Sequence, residues 1–84
     1  MTDIVIYSKE QCPYCVAAKQ LFTAKGVAFK EIHVDQDPDQ LSIMMERSGR
    51  RSVPQIFIND LPMGGYDDIA ALEKTGKLNE LLGL

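Results

Sequence analysis

The chain has 84 residues, enough for one small domain spanning 1–84 with a modest core. Hydrophobic residues make up 45% and charged residues 25%, the balance of an ordinary globular protein, and a net charge of -3 argues against nucleic acid as a main partner. No apolar stretch approaches membrane-spanning length, and Met1-Thr2-Asp3 lacks the basic start of a secretory signal, so a cytoplasmic protein with no membrane partner is expected.

The first apolar run, Ile4-Val5-Ile6-Tyr7, predicts a central strand over residues 3–8, covered on both faces. Ser8-Lys9-Glu10-Gln11-Cys12-Pro13-Tyr14-Cys15 follows, and then the helix-forming run that starts at Val16. Pro13 suits the first helical position, where its missing N–H costs nothing. Cys12 then becomes the N-cap, its sulfur facing the free N–H groups of Tyr14 and Cys15 and the positive end of the helix dipole. A thiol so placed is expected to ionise more readily than a free one. Cys15, three residues on, shares the same face within bonding reach.

Three uses compete for this pair. A disulfide closing four residues stabilises by only about 1.9 kcal/mol, a weak staple. Zinc wants four ligands, and one chain offers two cysteines and His33, although a dimer could supply more. Reversible dithiol chemistry fits best, because close cysteines in a reducing compartment cycle rather than stay bridged. Cys12 is the expected nucleophile, with the helix N-terminus and Lys9 nearby; Cys15, buried in the turn, is the expected resolving thiol.

The helix is expected to turn Val16, Ala17, Leu21 and Phe22 inward and to end at Lys25-Gly26. Val27 to Val34 reads as a second strand, with His33 as a packed or surface residue rather than a catalyst. Asp37-Pro38-Asp39 announces a second helix whose Leu41, Met44 and Met45 share a core-facing stripe, and Ser48-Gly49 ends it. Arg47, Arg50 and Arg51 form a basic cluster, either a solvated loop or an anion-attracting rim. A third strand, Gln55 to Ile58, starts after Ser52-Val53-Pro54, where a missing donor is tolerated. Asn59-Asp60 supplies a tight turn into a short fourth strand, Leu61-Pro62-Met63. After Gly64-Gly65, Tyr66-Asp67-Asp68 opens a helix to Thr75 with Gly76 behind it, and Leu78, Leu81 and Leu82 form a last short segment over the core. The order βαβαββα predicts an α/β fold: a parallel right-handed first unit, an antiparallel hairpin, and helices on both faces of a four-stranded mixed sheet.

Cys12-Pro13-Tyr14-Cys15 after a strand, Ser52-Val53-Pro54 before another and Gly64-Gly65-Tyr66-Asp67-Asp68 at a helix start together resemble a dithiol glutaredoxin of the short bacterial type, in the thioredoxin superfamily. The resemblance covers nearly the whole chain. It implies a thioredoxin-like fold and a glutathione-dependent disulfide oxidoreductase, with glutathione as reducing co-substrate, no metal, and glutathionylated or disulfide-bearing proteins as partners of a monomer. It also implies a cis Val53-Pro54 bond that turns the main-chain groups of Val53 toward the cysteinyl unit of glutathione. Gly65 and the N–H groups at Tyr66, Asp67 and Asp68 would take the γ-glutamyl carboxylate, and an aspartate its ammonium, although both acids could equally serve as plain N-caps. Lys9 and the Arg50/Arg51 pair are candidates for the glycine carboxylate, and Tyr14 for the groove wall. This chain has Ser52 where such proteins often have threonine, and Tyr66 where a small residue or cysteine is common. Two other functions stay open on the sequence: a thioredoxin-like donor served by a flavoprotein reductase, and an iron–sulfur carrier joining two subunits through Cys12 and glutathione.

Overall fold

The computed structural model describes residues 2–84. The elements run β1 (Ile4–Ser8), α1 (Pro13–Ala24), β2 (Lys30–His33), α2 (Pro38–Ser48), β3 (Gln55–Ile58), β4 (Leu61–Gly64), α3 (Tyr66–Lys74) and α4 (Lys77–Leu82). The sheet order is β2-β1-β3-β4. β1 pairs parallel with β2 and antiparallel with β3, and β3 pairs antiparallel with β4. The mixed sheet is therefore the expected one, with α4 as an eighth element on its own.

Strand alternation divides the core in two. Ile4, Ile6, Ile56 and Ile58 face one side, where Ala18 and Phe22 of α1, Ile69 of α3 and Leu78 and Leu82 of α4 close over them. Tyr7 and Phe57 face the other, under Met44 of α2, with Leu41 and Met45 packed alongside. Phe22 is fully buried, and burial of a side chain that size is worth about 1.5–3 kcal/mol. Arg47 completes the second layer rather than a basic rim: its guanidinium lies 4.4 Å from the Phe57 ring centroid and 3.4 Å from the Asp60 carboxylate.

Two expectations are corrected. Val16 is exposed and Ala17 half-buried, because the N-cap at Cys12 sets the helix phase so that Cys15, Ala18 and Phe22 point inward. β2 is shorter than the apolar run, since Val27 and Phe29 pack against the core without joining the sheet. Asn59 and Asp60 form the expected tight turn with φ 52 and 67, the left-handed pair that a two-residue hairpin requires. Asn59 also ties down the start of β1: its N–H donates to the Asp3 carbonyl at 2.7 Å, and its side-chain oxygen accepts the Asp3 N–H at 2.9 Å.

Candidate active site

β1 ends at Ser8, and four residues later the chain enters α1 with Cys12 as N-cap and Pro13 in its first turn. The Cys15 N–H donates to Cys12 Sγ at 3.2 Å. The expected second donor, the Tyr14 N–H, makes no such bond, and Cys15 alone caps through its N–H. A hydrogen bond from an amide to a sulfur strengthens when the sulfur is charged, and the helix N-terminus adds its own positive potential there. Cys12 Sγ lies 3.9 Å from the carbonyl oxygen of Val53, so the loop before β3 comes up against the sulfur. The Val53–Pro54 bond is cis.

Both cysteines are buried, Cys12 6% and Cys15 1% exposed. At Cys15 burial first, then its side-chain hydrogen bond with Cys12, pushes the pKa up to about 12. The Lys9 main-chain N–H and the charge of Lys19 act in the opposite direction and do not offset burial. At neutral pH the proton stays on Cys15. One sulfur thus sits at a helix mouth beside an open loop, and the other is held protonated beneath it.

A groove of about 180 Å³ opens beside Val53 and runs to the start of α3. Val53, Pro54 and Ser52 form one wall, and Gly65, Tyr66, Asp67 and Asp68 form the other. Tyr14, 61% exposed, lines it with its ring centroid 6.1 Å from that of Tyr66, and Arg50 lines it beside Asp68. The walls approach closely, since a Cβ on Gly65 would lie 3.3 Å from the Pro54 carbonyl oxygen. Asp68 accepts the Gly65 N–H at 3.0 Å and Arg50 Nη1 at 3.0 Å. Those two bonds, the backbone one first, hold its carboxyl below the ordinary aspartate range.

Of the residues expected from sequence, Tyr14, Val53, Pro54, Gly65, Tyr66, Asp67 and Asp68 line this groove, and Cys12 lies against it at Val53. Lys9 does not: it is exposed, lies off the groove and turns only its N–H to Cys15. Arg51 is absent from the lining as well, so the basic cluster splits and Arg50 alone reaches the site. Ser52 went unassigned in the sequence, though its place beside Val53 was a sufficient signal. A polar network behind the cysteines was missed altogether. Glu31 Oε2 accepts Ser8 Oγ at 2.7 Å, Lys19 Nζ at 2.8 Å and His33 Nε2 at 3.1 Å. The one clue was a serine closing an otherwise apolar central strand. Among the described residues no three His, Cys, Asp or Glu side chains gather as a metal-binding group.

The glutaredoxin family model matches residues 4–61, which include both cysteines, the Val53-Pro54 turn and three of the four strands. The chain belongs to the glutaredoxin family. It is 48% identical to glutaredoxin 3 of Escherichia coli (strain K12) over 82 residues, 98% of this chain and 99% of the relative. It is 46% identical to a glutaredoxin of Pseudomonas aeruginosa, covering 98% of each. Among solved structures, a Brucella melitensis glutaredoxin superposes with a TM-score of 0.85 at 49% identity, covering 98% of this chain and 89% of that one. A buckwheat glutaredoxin–glutathione complex gives a TM-score of 0.89 at 32% identity, covering 98% and 77%. The fold is thus the thioredoxin-like one of the glutaredoxins, and this glutaredoxin is a thiol–disulfide oxidoreductase with Cys12 and Cys15 as its redox-active pair.

Proposed function

We propose that this glutaredoxin draws its electrons from glutathione and reduces glutathione mixed disulfides and protein disulfides. The observation that carries the reading is the groove that begins at Val53, against Cys12 Sγ, and ends at the first turn of α3. It has the size and polarity for a small anionic peptide. The exposed main chain beside Cys12 offers the cysteinyl unit an added strand, and the unpaired N–H groups of α3 offer a carboxylate its donors. Asp68 is occupied by the Gly65 N–H and Arg50, which leaves Asp67 as the carboxylate for the γ-glutamyl ammonium. Arg50 serves as the cation for the glycine carboxylate by leaving Asp68, an exposed pair that holds it only weakly. That a buckwheat relative was solved as a glutathione complex supports the same ligand here.

In this reading Cys12 thiolate attacks the glutathionyl sulfur of a mixed disulfide. The substrate leaves as a thiolate and takes a proton, and Cys12 keeps the glutathionyl group. A second glutathione thiolate then attacks that disulfide, which frees Cys12 and forms oxidised glutathione. With a protein disulfide, Cys12 instead becomes joined to the protein. Cys15 gives up its proton, attacks Cys12 Sγ and expels the second protein thiol, leaving a Cys12–Cys15 disulfide for glutathione to reduce. The enzyme works as a single-domain monomer in a reducing cytoplasm, where the pair cycles.

Turnover with glutathione alone as reductant tests this. Cys12→Ser is expected to abolish reduction of both a glutathionylated protein and a protein disulfide. Cys15→Ser is expected to keep the first and lose the second. No glutathione turnover by the unaltered protein would point to a flavoprotein-served donor, and equal loss of both activities in Cys15→Ser would overturn the division of roles.

A further inference from the structure

The network beneath the cysteines has no part in the chemistry so far. Cys15 is protonated and buried, yet the second half of disulfide reduction requires it to attack as a thiolate. Its surroundings supply little to favour that charge. Lys9 offers its main-chain N–H, and Cys12, once in a mixed disulfide, carries no charge. Other cations near the groove are engaged elsewhere: Arg50 on Asp68, Arg47 on Asp60 and Phe57.

Lys19 is paired as well, with Glu31, but on the helix that carries Cys15. It lies one helical turn beyond Cys15 on α1, on the same face, and its positive charge acts on that sulfur. A lysine on a helix normally swings free in water, and an exposed ion pair holds it only weakly. Here Glu31 on β2 grips the ammonium at 2.8 Å, with both side chains less than a third exposed. Glu31 is fixed in turn by the fully buried Ser8 at the end of β1 and by His33 on β2. Three donors meet one oxygen of Glu31, which fixes the carboxylate and through it the ammonium, and of that pair it is Lys19 whose charge acts on the Cys15 sulfur.

We propose that Lys19, held in place by Glu31 and Ser8, stabilises the charge that the Cys15 sulfur takes on when it resolves the Cys12 mixed disulfide. Lys19 and Glu31 are then positioning residues for the dithiol half of the reaction and take no part in attack by Cys12. The step balances without further groups. Cys15 releases its proton to solvent, its sulfur forms the bond to Cys12 Sγ, and the electron pair of the broken disulfide leaves on the departing thiolate. The proposal rests on the assignment of Cys12 as attacking and Cys15 as resolving thiol.

Reduced protein mixed with 5,5′-dithiobis(2-nitrobenzoate) separates the two events by absorbance. Attack by Cys12 releases one coloured thiolate, and attack by Cys15 on the resulting mixed disulfide releases a second. Between pH 7 and 9.5, above the range where a histidine usually takes up its proton, Lys19→Met is expected to slow the second phase about threefold to tenfold. Its pH profile should move upward by about half a unit to one unit, while the first phase stays within about twofold. Lys19→Arg, which keeps the charge, is expected to restore the second phase. A second phase unchanged in Lys19→Met, or both phases slowed alike, or no rescue by arginine, would overturn the proposal. A second phase persisting in Cys15→Ser would show instead that the assignment beneath it is wrong, and none of these readings depends on glutathione.

Discussion

Gly64→Ala tests the coupling between β4 and the groove. Gly64 adopts φ +92, where a side chain is strained at a cost of about 1–2 kcal/mol. An added Cβ would also collide with the Asp68 carboxylate, whose oxygen accepts the Gly65 N–H and Arg50. Rotating that carboxylate away forfeits the bond that caps the Gly65 N–H at the start of α3, worth about 1 kcal/mol, and an exposed ion pair worth no more than about 0.5 kcal/mol. The sum is about 2–3 kcal/mol, or a fall in Tm of roughly 10–20 °C for a domain this small. Urea unfolding of Gly64→Ala, Asp68→Ala and the double variant reads it directly. In the Asp68→Ala background the cap is already gone, so Gly64→Ala should cost about 1 kcal/mol less there than alone. An equal cost in both backgrounds would show that the carboxylate is not what the methyl group meets, and a cost below about 1 kcal/mol would refute the strain as well.

Burial and the hydrogen bond with Cys12 raise the pKa of Cys15 far above the ordinary thiol range, so its sulfur stays protonated at pH 7. Brief treatment of reduced protein with iodoacetamide should therefore label Cys12 alone, and peptide masses showing comparable label on Cys15 would contradict its buried, protonated state. Glu31 gives a pH signature. Burial alone would raise its pKa, but the hydrogen bonds from Lys19, Ser8 and His33 outweigh it and bring the value to about 2, from an ordinary 4.5. The stabilisation, on the order of 1–3 kcal/mol, is complete above the unfolded value and lost as the pH falls from about 4.5 toward 2. The stability gap between wild type and Glu31→Gln should narrow by about half between pH 7 and pH 3; a constant gap would mean that the carboxylate's charge plays no part.

The strands and the caps were legible because each rests on local chemistry, whereas the groove came from the resemblance of three motifs to a known family. Pro13 behind Cys12, Pro38 behind Asp37 and the Asn59-Asp60 pair announce their positions whatever surrounds them. The inward face of α1 was misread because Val16 is apolar, while the phase is set by burial of Cys15 and Ala18, which look less hydrophobic. The arginine cluster looked like one patch in sequence. In space Arg47 lies over Phe57 and Arg50 crosses to Asp68, partners 10 and 18 residues away that no local pattern reveals. The Ser8–Glu31–Lys19 network joins β1, β2 and α1, so only the parallel pairing of Ser8 with His33 brings it together.

Thr2 and Leu82 also meet. Thr2 Oγ1 donates to the Leu82 carbonyl at 3.1 Å, and β1 then carries the chain across the sheet to the cysteine loop. Five strand residues span about 16 Å, so Thr2 and Leu82 lie at the pole away from the sulfurs. A tether, reporter or surface anchor joined at that pole would leave the mouth of the groove open to large clients.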